Sequence, residues 1–420
     1  MKSALHGLFA ALLPLALLAA TINVTKPEES GMSAERLARI KPLIQSHIAA
    51  KDLSGAVTLV ARKGKVVHFE AHGMADMEAG KAMQTSTLFR MASMTKPLTA
   101  VSILMLMEEG KLLLSDPVSK YIAEFRNPKV AVWQLPNNPR GAGSMLVAAN
   151  REITIKDLLS HTSGLANGFE GPAGDYVRKA NLGRGGSLDE RVRRVAALPL
   201  NFQPGSQWEY SPGTGFDTLG RIVEIQSGMN LAQFIKARIF DPLGMKDTFF
   251  DVPEARQADL VVAYSKSDKG LVRAPAATRP TEPAGQYYSG AGGTTGSAQD
   301  YLQFCQMLLN GGQLNGARLL SRKTVELMTA DAIPGLDLRN YINGEQVLQG
   351  YGFGLGVRVR RNNGENGWLG SPGDFGWAGA LGTYFWIDPK EQLIGIIMMQ
   401  TPIRALRMEF PNAVYQAVVD

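Results

Sequence analysis

The chain has 420 residues, enough for two lobes around one site and too many for one small core. Its formal net charge of +6 is spread along the chain, with no block of five like charges, so a nucleic-acid partner is not expected. A single cysteine, Cys305, excludes an intrachain disulfide and any cysteine-based metal site.

Lys2 is followed by residues 3–25 without Asp, Glu, Lys or Arg, and residues 8–20 form an apolar core ending in Leu18-Ala19-Ala20. A charged start, an apolar middle and small residues at the exit resemble a secretory leader, assigned to 1–22. A periplasmic or secreted protein is therefore expected. The alternative is an uncleaved membrane anchor, because no later stretch is apolar and long enough to span a bilayer.

Residues 32–50 have helical spacing, with Leu37, Ile40, Leu43, Ile44 and Ile48 on one side. Residues 56–61 and 66–71 read as strands joined through Lys63-Gly64-Lys65. The spacing predicts helices over 95–109, 155–159, 188–197, 216–226, 231–239 and 300–309. The last of these packs Cys305 as an unreactive thiol. Residues 127–150, rich in Pro, Asn and Gly, read as a long surface loop. A second hairpin pairs 382–387 with 393–399 across Asp388-Pro389-Lys390-Glu391, and a final helix is expected over 411–419. Strands at both ends and helices between imply one α/β fold whose sheet is made by the two termini, with a helical insertion.

A serine hydrolase needs a base, a fixed geometry and oxyanion donors. No serine sits in Gly-x-Ser-x-Gly, and only five histidines are present, His6 among them in the leader, so a Ser-His-Asp triad has poor support. Ser93-Met94-Thr95-Lys96 offers another solution. Pro97 is tolerated only in a first helical turn, so the helix must begin near Ser93. The spacing of three then places Ser93 and Lys96 on one face, beside free N–H groups at the positive end of the helix.

The neighbours of this motif carry a resemblance. They are Glu209-Tyr210-Ser211-Pro212, Trp377-Ala378-Gly379-Ala380, Leu158-Leu159-Ser160-His161-Thr162-Ser163-Gly164, Asp241-Pro242-Leu243-Gly244-Met245 and Ser289-Gly290-Ala291-Gly292-Gly293. Over about 37–399 the sequence resembles the penicillin-recognising serine hydrolases: class C beta-lactamases, DD-peptidases and, most of all, family VIII carboxylesterases. The resemblance implies a beta-lactamase-like fold over 30–420, with an α/β lobe of about 30–92 and 285–420 and a helical lobe of about 93–284. It implies Ser93 as nucleophile and Lys96 with Tyr210 as the proton-transfer pair. Backbone N–H groups of Ser93 and of Ala380, beside an edge strand, would form the oxyanion hole. Trp377, Ala378, Gly379 and Tyr288 would line the substrate, with Tyr287 beside Tyr288. No cofactor or metal is implied.

Two departures separate the branches. The third motif begins with a cation in lactamases and DD-peptidases, and here it begins with Trp377. The second motif commonly ends in Asn in class C lactamases, and here it ends in Pro212, which offers no side-chain donor. Both favour a neutral ester over an anionic lactam or peptide, and the resemblance implies short acyl chains. A beta-lactamase or DD-peptidase, an acyltransferase to a small acceptor and a non-catalytic binding protein are the alternatives. His161 reads as a loop anchor. His68 and His72, at i and i+4 on a strand, have a spacing that also suits a metal, but without a third ligand recognised nearby they read as a solvated edge. Gly290, Gly292 and Gly293 read as a loop that approaches the site closely.

Overall fold

The computed structural model describes residues 22–420 except 135–142, 167, 169, 181, 183–185, 269, 276–286, 339–340, 343–344, 347 and 366. The leader-like segment up to residue 21 lies outside the described residues. Among them, no helix is long and apolar enough to cross a membrane.

The two ends of the chain build one antiparallel sheet. Strands β1 (Gly55–Arg62), β2 (Lys65–Asp76) and β3 (Lys81–Ala82) come from the N-terminal side. Strands β4 (Tyr351–Phe353), β5 (Arg358–Arg360), β6 (Phe375–Ala378), β7 (Tyr384–Asp388) and β8 (Leu393–Met399) come from the C-terminal side. The order is β4-β5-β6-β7-β8-β1-β2-β3. The seam between the termini is β1 on β8, in register from Ala56 opposite Met399 to Arg62 opposite Leu393. The expected sheet from both termini is therefore present.

Both faces of this sheet are covered, which is why β1 and β8 read as nearly continuous apolar runs. Ala56 and Val60 pack with Leu393, Ile397 and Met399 under the terminal helices. Val57, Leu59 and Ala61 pack with Ile394, Ile396 and Met398 on the other face. The covering helices of the first face are α1 (Ala34–Leu37), α2 (Ile40–Ala49) and, last in the chain, α8 (Leu406–Tyr415). On the second face lie α3 (Thr95–Glu108), α4 (Ile155–Leu159), α5 (Leu188–Ala196), α6 (Thr214–Ser227) and α7 (Ala298–Leu309). Reciprocal capping boxes start α4 (Thr154 with Asp157) and α5 (Ser187 with Glu190), each contributing about 1 kcal/mol. Cys305 is buried in α7 and burial pushes its thiol pKa up, in keeping with a packed role.

Several expectations are corrected. The helix read over 32–50 is two helices, broken at Ala38 and Arg39. Pro42 lacks an N–H and its ring crowds the carbonyl of Ala38, so the helix restarts with Pro42 in its first turn. The stretch read as a loop over 127–150 contains an antiparallel pair, Lys129–Trp133 with Ser144–Ala148. It gains support from outside itself, since Ala131 N–H donates to Leu200 O at 2.8 Å. The last helix starts at Leu406 rather than at Pro411, because Leu406, Phe410 and Val414 give it a buried face. His68 and His72 are not at a solvated edge. Both are buried on the face of the sheet that α2 covers.

Candidate active site

Ser93 stands in a 3-10 turn, Ala92–Met94, that leads directly into α3. Ala92 enters it with φ of 46°, a left-handed conformation that costs a non-glycine residue roughly 1–2 kcal/mol. The turn is held on three sides. Met91 N–H donates to Thr294 O at 2.9 Å. The Thr95 and Thr294 hydroxyls meet at 2.7 Å. Tyr301 Oη donates to Met94 O at 2.8 Å. Pro97 sits in the first turn of α3, where its missing N–H would have no partner, so the helix starts where the sequence placed it, within two residues.

Ser93 Oγ lies between the two predicted proton carriers. Lys96 Nζ is 3.0 Å from it and Tyr210 Oη is 2.8 Å from it. Lys96 is fully buried and Ser93 keeps 9 % of its surface. Lys96 Nζ also donates to Pro212 O at 2.7 Å and to Ala291 O at 2.8 Å. Pro212 thus contributes its backbone carbonyl, a role its side chain could not announce. The ammonium has three N–H donors, and these three acceptors match them. A neutral amine would give two N–H groups to the carbonyls and turn its lone pair toward the Ser93 hydroxyl. Only in that neutral state can the Lys96–Ser93 contact take up the serine proton directly.

Tyr210 lies on an extended stretch just before α6 and is braced by rings. His161 packs edge-on at 4.8 Å between centroids, and Trp377 lies at 5.2 Å. His161 holds its own backbone at φ 58° and is buried against Phe216 and Phe353. Ser211 N–H approaches its Nδ1 at 3.4 Å and Ser211 Oγ lies at 3.1 Å. Nδ1 is therefore the acceptor and the ring proton sits on Nε2. Burial, with the charge of Lys96, keeps the imidazole neutral, its pKa well below the usual 6.5. His161 is an anchor, as expected, and what it anchors is the Tyr210 segment.

The strand carrying Trp377 is internal to the sheet and not the edge strand expected. Its pairing with β5 stops at Gly376, so the Trp377–Ala378 end is locally unpaired on that side. Trp377 is buried against Tyr210 and Phe353. Gly379 is buried and Ala380 is exposed on the following turn. A Cβ on Gly379 would lie 2.1 Å from Thr383 Oγ1 and 2.4 Å from Met91 O, so only glycine lets this turn close on the Ser93 loop. Thr383 Oγ1 then donates to Met91 O at 3.1 Å, and Arg407 Nη2 donates to Gly379 O at 2.9 Å from α8.

The loop that supplies Ala291 O approaches the site as its glycines suggested, but the residue that holds it was not visible in the sequence. Asp217, on α6, accepts Arg191 Nε at 3.0 Å, Tyr287 Oη at 2.6 Å, Ser289 Oγ at 2.7 Å and Ala291 N–H at 3.3 Å. Tyr287 is a strut on Asp217, and burial pushes its phenol pKa up. Tyr288 packs edge-on against Phe250 at 5.5 Å. Gly290 is needed for close approach, since a Cβ there would lie 2.5 Å from Phe216 O. Asp217 carries no motif, and the groups it joins are 26 to 74 residues away. A separate cavity of about 770 Å³, lined by Met107, Leu113, Arg151, Asp157 and Ile333 among others, includes none of Ser93, Lys96 and Tyr210.

This geometry agrees with what the chain is similar to. The Beta-lactamase family description matches residues 40–417. An uncharacterized protein of Mycobacterium tuberculosis is 36% identical over 353 residues, covering 83% of this chain and 86% of its own. Esterase EstB of Burkholderia gladioli is 35% identical over 291 residues, 64% of this chain and 69% of that protein. The solved structure of EstCE1, described as a hydrolase with promiscuous acyltransferase activity, has a TM-score of 0.75 at 26% identity, over 92% of this chain and 99% of that one. The fold is beta-lactamase-like, and the chain belongs to the Beta-lactamase family, in its family VIII carboxylesterase branch.

Proposed function

We propose that the protein hydrolyses carboxylic esters of short acyl chains through an acyl-enzyme on Ser93. The observation that carries this reading is the position of Ser93 Oγ, 3.0 Å from Lys96 Nζ and 2.8 Å from Tyr210 Oη. The Lys96/Tyr210 pair takes the Ser93 proton as Oγ attacks the ester carbonyl. Negative charge collects on the former carbonyl oxygen, where the N–H groups of Ser93 and Ala380 are the proposed donors. Collapse breaks the ester C–O bond, and the same pair returns the proton to the leaving alcohol. Water, deprotonated by the pair, then attacks the acyl group and frees Ser93 and the carboxylic acid.

Trp377 supports a neutral substrate. It presents an indole where a cation would meet a substrate carboxylate, and it walls Tyr210. Trp377, Ala378, Gly379 and Tyr288 are the proposed substrate-lining residues. Similarity to Esterase EstB supports the same chemistry. Hydrolysis of p-nitrophenyl butyrate, lost in Ser93→Ala, tests the proposal, and retained hydrolysis overturns it. Turnover of nitrocefin comparable with ester turnover would move the assignment to a beta-lactamase. Acyl transfer is a second reading, favoured by the description of EstCE1. Ester product formed when a small alcohol is added separates transfer from hydrolysis. The leader-like N-terminus supports export, with an uncleaved anchor as the alternative.

A further inference from the structure

Strands β1 and β2 carry a cluster that ester chemistry does not use. His68, Glu70 and His72 occupy alternate positions of β2, so all three side chains leave the same face. In register across β1 stand Val60, Thr58 and Ala56. This is the face covered by α2, whereas Met91 and Met94, which flank Ser93, pack on the opposite one.

Thr58 is fully buried between the two imidazoles. Its Oγ1 is 2.7 Å from His68 Nε2 and 3.2 Å from His72 Nε2. A hydroxyl has one proton, so it can donate to only one of these nitrogens. Glu70 reaches both rings, with Oε1 3.8 Å from His68 Nδ1 and Oε2 3.8 Å from His72 Nε2. One ligand atom from each of the three residues fits within a 4.8 Å spread. Donors at about 2.0–2.1 Å from a tetrahedral ion stand about 3.3 Å apart, so coordination would draw the three ligand atoms together by up to about 1.5 Å. Glu70, with 46% of its side chain exposed, is free to make that movement and opens the cluster to solvent.

We propose that His68, Glu70 and His72 form a binding site for one divalent transition-metal ion of the zinc class. Two imidazole nitrogens and one carboxylate oxygen are a zinc ligand set, and nitrogen donors disfavour calcium and magnesium. Water or the Thr58 hydroxyl completes the coordination. With the Thr58 hydroxyl as fourth ligand the ion ties β1 to β2, and in either case it takes no part at Ser93. The Glu70 carboxylate favours a cation beside His72, and the weaker opposing charge of Lys41, on α2, reduces that attraction.

The test uses the full chain without a polyhistidine tag, stripped with chelator and titrated with Zn²⁺ by calorimetry and with Co²⁺ by visible absorption. One equivalent is expected to bind and to raise the thermal midpoint. Glu70→Gln, at the exposed ligand, and His72→Ala are each expected to weaken binding by about tenfold or more with unchanged circular dichroism. Ester hydrolysis by the wild-type chain is expected to be the same with and without Zn²⁺. Absence of saturable binding overturns the proposal. So does binding that both variants retain, which would place the ion elsewhere.

Discussion

Asp217 is the residue whose removal should do most damage from outside the reacting atoms. Its carboxylate keeps 1% of its surface and faces Arg191, which keeps 14%. Deleting one partner of a buried ion pair costs about 3–5 kcal/mol, because the other charge is left behind. Arg191 retains the Leu182 carbonyl at 2.5 Å, so the lower end, about 3 kcal/mol, is expected for Asp217→Ala. The same change frees Tyr287, Ser289 and Ala291 N–H together, and with them the carbonyl that fixes Lys96. A fall in kcat/KM of at least about tenfold should follow, since proton transfer depends on ångström-scale placement. Asp217→Asn keeps an acceptor oxygen and should lose less stability. Urea unfolding with linear extrapolation measures the first effect, and p-nitrophenyl butyrate kinetics the second. A wild-type urea midpoint in Asp217→Ala would refute the buried-pair argument. Wild-type kcat/KM would refute the link from Asp217 to Lys96.

Tyr210→Phe removes the hydroxyl 2.8 Å from Ser93 Oγ and should lower kcat by about 10²–10⁴, with KM little changed. A KM effect alone would make Tyr210 a binding residue. Ala92→Gly relieves the left-handed φ and should stabilise the chain by about 0.5–1 kcal/mol, read as a higher urea midpoint. An unchanged or lower midpoint means that Ala92 is not strained. His161 stays neutral in the fold, whereas the unfolded chain takes up a proton near pH 6.5. Its contribution to stability is therefore complete above pH 6.5 and is lost as pH falls below it. His161→Asn, which tolerates the left-handed backbone, should flatten this acid-side loss, and an unchanged slope would count against it.

The reacting set was legible in the sequence to different depths. The shared face of Ser93 and Lys96 followed from local rules, since Pro97 fixes the helix start and a spacing of three sets the face, but their catalytic roles came through the family resemblance. Tyr210 came only through the family resemblance, because nothing local distinguishes it from a packing aromatic. Asp217 was invisible, as its partners converge from an earlier helix and a later loop that only the fold brings together. The spacing of His68 and His72 was readable, but their burial depends on α2 crossing their face. Glu70 between them was then easy to pass over as a surface charge. The break before Pro42 was missed in the reading of one helix over 32–50, although proline geometry accounts for it. The pairing of 129–133 with 144–148 was missed too, because its support comes from the Leu200 backbone.

The central claim is a covalent intermediate on Ser93. Incubation with a fluorophosphonate, and separately with a slowly deacylating ester, followed by digestion and mass spectrometry, tests it most directly. One equivalent of label is expected on the peptide containing Ser93, absent in Ser93→Ala and formed much more slowly in Lys96→Ala. Ester turnover without label on Ser93, or with label on another serine, would contradict it.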